Sequence, residues 1–199
     1  MKAEYPELWF IRHGETDWNA QRRIQGQTDI PLNDTGHQQA RAIAEKLASL
    51  HKSLDGFDLH VSPLQRPRQT MQYIIDGFGF DWQRVHVDER LKELNFGDLE
   101  GSTWPEQNAL GIDPEKDPAG YHAFRPANGE SYADATHRVE EWLGSLTQST
   151  IAVAHGGISR IVRALVLDLP TAEIPGLRNP QWKFYRLKNG KIEWFGVEK

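Results

Sequence analysis

Short apolar runs alternate with longer amphipathic stretches along most of this 199-residue chain, and that alternation most narrows what it can fold into. Leu8 to Arg12 is apolar and stops at a glycine, Gly14, which reads as a buried strand. Residues 35–50 put Ala40, Ile43, Ala44 and Leu47 on one helical face, with Asn33 or Thr35 to cap the start. Phe57 to Val61 reads as a second strand, followed by a helix ending near Gly77, and Val85 to Val87 as a short third strand. Ser131 and Asp134 have the spacing of a capping box. Ala135, Val139, Trp142, Leu143 and Leu146 form a helical stripe behind it. Thr150 to Ala154 is an apolar strand, and Ile158, Ile161, Val162 and Leu165 mark the helix after His155-Gly156-Gly157. Gln181 to Leu187 and Lys191 to Val197, joined through Asn189-Gly190, read as a closing hairpin. Strands interleaved with helices predict the α/β class, here a three-layer α/β/α sandwich around a mostly parallel sheet. At about 150 residues per domain the chain makes one domain, 1–199. Residues 105–130 break the rhythm, with four of the eleven prolines and no clear period, so about 104–130 reads as a surface insertion forming a cap or lid.

Composition removes several function classes. The chain has 23 basic and 28 acidic residues, and a net charge of −5 argues against nucleic acid as the partner. Without cysteine there is no disulfide, thiolate metal site or cysteine nucleophile. No apolar run approaches the ~18 residues of a membrane span. MKAEYPELWF has no apolar core of a signal peptide, so a cytoplasmic protein without membrane partners is expected. The histidines outside the motifs below (His37, His51, His60, His86, His122, His137) lack metal-ligand spacing, and no metal is expected.

In parallel α/β sheets ligands sit beyond the carboxyl ends of the strands. His13 follows the first strand and His155 the strand at 150–154. Arg12-His13-Gly14 is the sharpest short motif, though weak alone. Arg supplies 14 of the 23 basic residues, and Arg22, Arg23, Arg66 and Arg68 fall near the same predicted sheet edge. Guanidinium is a planar, permanently charged fork suited to phosphate oxygens, and phosphoryl transfer requires mainly such charge and orientation. A neutral imidazole is a competent nucleophile, and neighbouring arginines would keep His13 neutral. Gly14 is expected to let a phosphate come close, and the helix start at Gly156-Gly157 to offer N–H groups to an anion. Alone, His155 reads as an ordinary strand-end residue and Glu93, among Glu89, Arg90 and Lys92, as a solvated surface charge.

The stretch FIRHGETDWNAQRRIQGQTDIPLNDTGHQQA resembles the opening signature of the histidine phosphatase superfamily, the phosphoglycerate mutase-like proteins. Ser62-Pro63-Leu64-Gln65-Arg66 with Gln69-Thr70, LKELNFGDLEG, GESYADATHRVEEWL and VAHGG follow in the family's order. The resemblance covers nearly all of the chain except about 104–127 and the C-terminal hairpin. It implies a phosphoglycerate mutase-like fold and a two-step displacement on a small phosphorylated substrate, without cofactor. His13 becomes phosphohistidine; Arg12, Arg66 and His155 complete the phosphate pocket; Glu93 is the proton donor; Asn19, Gln25, Gly26 and Gly156 line the phosphate or substrate.

Two positions depart from the family pattern. Pro63 stands where an Asp is usual and suits the first position of a helix capped by Ser62. Pro67 replaces an Ala and is expected to kink that helix. A phosphomonoester hydrolase is favoured over a phosphoglycerate mutase, because little chain follows the last predicted strand to form a closing tail. A phosphate-binding module without turnover is the non-enzymatic alternative. Trp104, Tyr121, His122, Phe124 and Arg125 would either cover the leaving group or pack the insertion onto the body. Trp9, Trp142 and Trp182 read as core, and Arg22 and Arg68 as surface charges or charges behind the pocket. The oligomeric state stays open, a homodimer included.

Overall fold

A computed structural model describes residues 5–109, 111, 113 and 116–197. Its strands and α-helices run β1 (Leu8–Arg12), α1 (Asp17–Ala20), α2 (Asp34–Leu50), β2 (Asp58–Val61), α3 (Gln65–Phe78), β3 (Val85–Val87), α4 (Trp104–Ala109), α5 (Pro118–Ala123), α6 (Tyr132–Ser145), β4 (Thr150–Ala154), α7 (Gly156–Leu167), β5 (Lys183–Lys188) and β6 (Lys191–Gly196). The sheet order is β3-β2-β4-β1-β5-β6. The first four strands are parallel; β5 joins β1 antiparallel, and β6 joins β5 antiparallel. The expected mostly parallel α/β/α sandwich is what forms.

Period-two alternation in the central strands decides the layering. Leu8, Phe10, Ala152 and Ala154 face α6 and α7, packing with Val139, Trp142, Leu143, Ile158, Ile161 and Val162. Trp9, Ile11, Ile151 and Val153 face α2 and α3, packing with Ile43, Leu47, Met71 and Ile74. Strands covered on both faces need no polar side, which is why β4 reads as an unbroken apolar run. Trp9 and Trp142 are core, as expected. Asn33 caps α2 and the Ser131/Asp134 capping box opens α6.

Local expectations fail where tertiary contacts intervene. Ser62 is no helix cap: α3 starts at Gln65, and the Leu64 at its start makes no side-chain cap bond. Ser62 Oγ instead lies 2.7 Å from His155 Nε2. Pro67 is the third residue of α3, where an N–H has no intrahelical acceptor, so it removes no helical hydrogen bond and gives no reason for a kink. The helix runs to Phe78 and ends on Gly79 in the left-handed region (φ 70°). The 104–130 stretch contains α4 and α5, too short to show a period. The last hairpin begins at Lys183, which frees Gln181 for another role. No helix among the described residues is long and apolar enough to cross a membrane.

Gly14 and Gly36 are both required where α2 meets the loop after β1. A Cβ on Gly14 would run into the Gly36 backbone, and one on Gly36 into the Glu15 carbonyl. Close approach of α2 to the loop after β1, rather than room for phosphate, is what this structure asks of Gly14. By contrast a Cβ on Gly144, in the last turn of α6, meets nothing. Gly144→Ala is therefore expected to raise unfolding free energy by about 0.5–1 kcal/mol, through lower unfolded-chain entropy and better helix propensity. Gly36→Ala is expected to lower it, and urea titration of both variants reads the contrast.

Candidate active site

Paired strand ends create the site. The His13 N–H donates to the Ala154 carbonyl (3.0 Å) and the Ser62 N–H to the Val153 carbonyl (3.1 Å). The residues leaving β1, β4 and β2 are thereby brought to one rim. His13 and His155 are buried there with ring centroids 5.2 Å apart.

His13 Nδ1 lies 2.7 Å from the Gly14 carbonyl, which can only accept, so Nδ1 carries the proton and Nε2 keeps its lone pair. Burial first, then the charges of Arg66 and Arg12, push His13 well below the ordinary histidine range. His155 is pushed the same way, by burial and then by Arg66. Its buried Nδ1 has no hydrogen-bond partner among the described residues.

The two flanking cations are held by carbonyls. Arg12 Nη1 donates to the Asn179 carbonyl (2.6 Å). Arg66 donates from Nη1 to the Thr28 carbonyl (2.9 Å) and from Nη2 to the Gly26 carbonyl (2.7 Å). Neither makes an ion pair among the described residues, and the Nε of each is buried without a hydrogen-bond partner. Burial lowers both guanidinium groups to about 10, so both remain charged at neutral pH. Buried cations of this kind favour any anion that reaches them.

Glu93 faces them across the cavity. Its carboxylate accepts the Gly157 N–H at 3.1 and 3.0 Å and its neighbour Leu94's N–H at 3.0 Å. The amide expected to meet an anionic ligand thus holds a side-chain carboxylate. A Cβ on Gly157 would collide with Glu93 and Leu94, whereas one on Gly156 would meet Arg12 at an ordinary 3.5 Å. Arg138 steadies the same segment, donating to the carbonyls of Arg90 (2.6 Å), Lys92 (2.7 Å) and Glu93 (3.2 Å) while paired with Glu130.

A cavity of about 330 Å³ opens between these groups. Of the expected residues, Arg12, His13, Asn19, Gln25, Gly26, Arg66, Glu93 and Gly156 line it. His155 is not among the lining residues; it lies behind them, beside the His13 ring. Gly26 supports Arg66 through its carbonyl, and Glu100 fixes its loop by accepting the N–H groups of Gln27 (2.8 Å) and Thr28 (2.9 Å).

Tyr132, inside the GESYADATHRVEEWL stretch, also lines the cavity, as do Arg160 and Gln181, which no short motif marks. Gln181 Nε2 donates to Asn19 Oδ1 (2.7 Å). Arg22, read as a surface charge or one behind the pocket, is exposed yet part of the lining. Of the insertion's aromatic residues only Trp104 reaches the cavity. Tyr121 is buried against Tyr132 with centroids 6.1 Å apart, and Arg125 pairs with Asp134, so these two pack the insertion onto the body. Arg68 lies over Trp82, away from the site. No group of three or more His, Asp or Glu among the described residues is arranged to hold a metal ion.

The chain resembles known proteins in both sequence and fold. The model of the histidine phosphatase superfamily (branch 1) matches residues 8–195. The metal-independent phosphoserine phosphatase of Arabidopsis thaliana is 33% identical over 189 residues, 88% of this chain and 74% of that protein. A probable phosphoglycerate mutase of Escherichia fergusonii is 31% identical over 203 residues, 94% of this chain and 87% of that protein. The solved structure of a mycobacterial glucosyl-3-phosphoglycerate phosphatase complexed with VO3 superposes with a TM-score of 0.77 at 30% identity, covering 96% of each chain.

The two buried histidines carry a pH signature. Both have folded values below the unfolded one, near 6.5, so acid protonates the unfolded chain first and stability rises with pH. Stability is expected to fall as pH drops below about 6.5, by up to about 1.4 kcal/mol per pH unit for each histidine. Urea unfolding between pH 8 and 5 measures this slope, and His13→Asn should make it shallower.

Proposed function

Because the chain belongs to the histidine phosphatase superfamily, branch 1, we propose that it hydrolyses phosphomonoesters of small metabolites through a phosphohistidine on His13. The observation that carries this reading is the fixed tautomer of His13. Its Nδ1–H is spent on the Gly14 carbonyl, and its unprotonated Nε2 sits beside two buried arginines that make no ion pair among the described residues.

Each step draws on groups already in place. Arg12 and Arg66 bind the phosphoryl oxygens and neutralise charge that spreads over them in the transition state. Nε2 forms the N–P bond as the P–O bond to the leaving group breaks. Glu93 takes up a proton as the phosphate anion arrives beside its carboxylate and gives that proton to the departing oxygen, which would otherwise leave as an alkoxide. In the second step the Glu93 carboxylate takes a proton from water, whose oxygen attacks phosphorus and releases inorganic phosphate and neutral His13. Gly157 positions the carboxylate, and Ser62 holds His155 against the nucleophile's ring. The 104–130 insertion contributes Trp104 to the cover over the leaving group.

The phosphatase relatives support hydrolysis; the Escherichia fergusonii relative favours a mutase as the second reading. Rapid quench with labelled substrate is expected to trap an acid-labile phosphoenzyme that is absent from His13→Ala. That variant should lose about a thousandfold or more in kcat. Glu93→Gln should lose about 10²–10⁴-fold on an alkyl phosphate and far less on p-nitrophenyl phosphate, whose leaving group needs little protonation. Turnover should persist in EDTA and release phosphate without interconverting 2- and 3-phosphoglycerate. Efficient interconversion would establish the mutase, and no turnover of any ester would leave a binding module.

A further inference from the structure

One short segment holds three side chains of the cavity, and no motif in the sequence marks it. Residues 177–181 lie between α7 and β5. The Leu177 carbonyl accepts Arg160 Nε (2.7 Å), the Asn179 carbonyl accepts Arg12 Nη1 (2.6 Å), and Gln181 Nε2 donates to Asn19 Oδ1 (2.7 Å). Asn179 and Gln181 are buried. Pro180 between them fixes its own φ and restricts the residue before it. The bonds to Arg12 and to Asn19 are therefore tied to one stiff stretch of backbone.

The contact with Asn19 orients an amide. The Thr16 N–H can only donate, so the atom of Asn19 that lies 3.2 Å from it is Oδ1. Gln181 must then present a donor to the same oxygen, and its Nε2 does so. The longer bond comes from three residues away and decides which end of the amide is which. The shorter comes from 162 residues away and sets the tilt of the amide plane. With Oδ1 engaged twice, Nδ2 is the end of the amide left for the cavity that Asn19 lines.

We infer that Gln181 is a positioning residue of the phosphoryl site: it acts through Asn19, whose Nδ2 it holds as a donor to the phosphoryl oxygens. The segment that clamps Arg12 thus sets Asn19 as well, and two donors to one group keep a fixed relative geometry. Misplacing such a donor by ~1 Å can cost on the order of a hundredfold in rate. The inference rests on the hydrolase reading for what occupies the cavity.

A double-mutant cycle tests it, because a residue that acts through another loses its effect once the other is removed. Gln181→Met keeps the length of the side chain and deletes the donor. It is expected to lower kcat/KM for p-nitrophenyl phosphate about five- to tenfold. Inhibition by orthovanadate, which mimics the phosphoryl group without a leaving group, should weaken by a similar factor. Asn19→Ala should lose about tenfold or more. Adding Gln181→Met to Asn19→Ala should then change either constant by less than about twofold. Gln181→Glu preserves the shape of the side chain and repeats the cycle if Gln181→Met fails to fold. Its loss should likewise be several-fold larger with Asn19 present than without it. Equal factors in both backgrounds would overturn the inference, because Gln181 would then support only the fold; so would variants at full activity. Calorimetry with inorganic phosphate separates the two readings. A protein that hydrolyses no ester, yet whose phosphate affinity depends on Gln181 only while Asn19 is present, keeps this inference and loses the proposed function. An active protein with equal factors in both backgrounds does the reverse.

Discussion

Two guanidinium groups held in the protein by backbone carbonyls, with no ion pair among the described residues, are the constraint from which the rest of this structure follows. Arg12 is bonded to the Asn179 carbonyl, and Arg66 to those of Gly26 and Thr28. Carbonyls orient a guanidinium without cancelling its charge. The charge therefore stays available, depresses the basicity of His13 and attracts whatever anion enters. A salt bridge in the same place would have satisfied the arginines and removed the reason for an anion to bind.

Maintaining that arrangement explains much of the surrounding loop structure. The 26–28 loop presents two carbonyls to Arg66 only because Glu100 gathers its N–H groups. The 90–93 segment presents Glu93 only because Arg138 gathers its carbonyls and Gly157 leaves room for the carboxylate. The parallel strands carry these loops. Their backbone pairing sets the relative height of His13, Ser62 and His155, so the alignment of the site is a property of the sheet register.

The candidate site was partly legible in the linear chain. His13 and His155 follow strand ends, where a parallel sheet gathers ligands, and the ordered motifs brought Arg66 and Glu93 to the same place. Arg160, Tyr132 and Gln181 did not stand out, even though Tyr132 falls inside the GESYADATHRVEEWL stretch. They lie in a helix interior, at a helix start and in a strand lead-in, positions where such residues usually have structural roles. Ser62 shows the reverse error: next to Pro63 it looks like a helix cap, but its hydroxyl is taken by a histidine 93 positions away. Local chemistry can be read from neighbours in sequence, whereas a competing partner of that separation cannot.

By itself the sequence determined the layering and the kind of chemistry. Period-two and period-3.6 patterns specify which faces must be buried, and the RHG and HGG segments place imidazoles at strand ends. Only the tertiary structure decided the details that make those residues act together. It assigned the His13 tautomer through the Gly14 carbonyl, gave the Gly157 amide to Glu93, and lined the cavity, among the described residues, with five arginines and one acid. These outcomes depend on which distant groups compete for each donor and acceptor once water is excluded, and that competition exists only after the chain has folded.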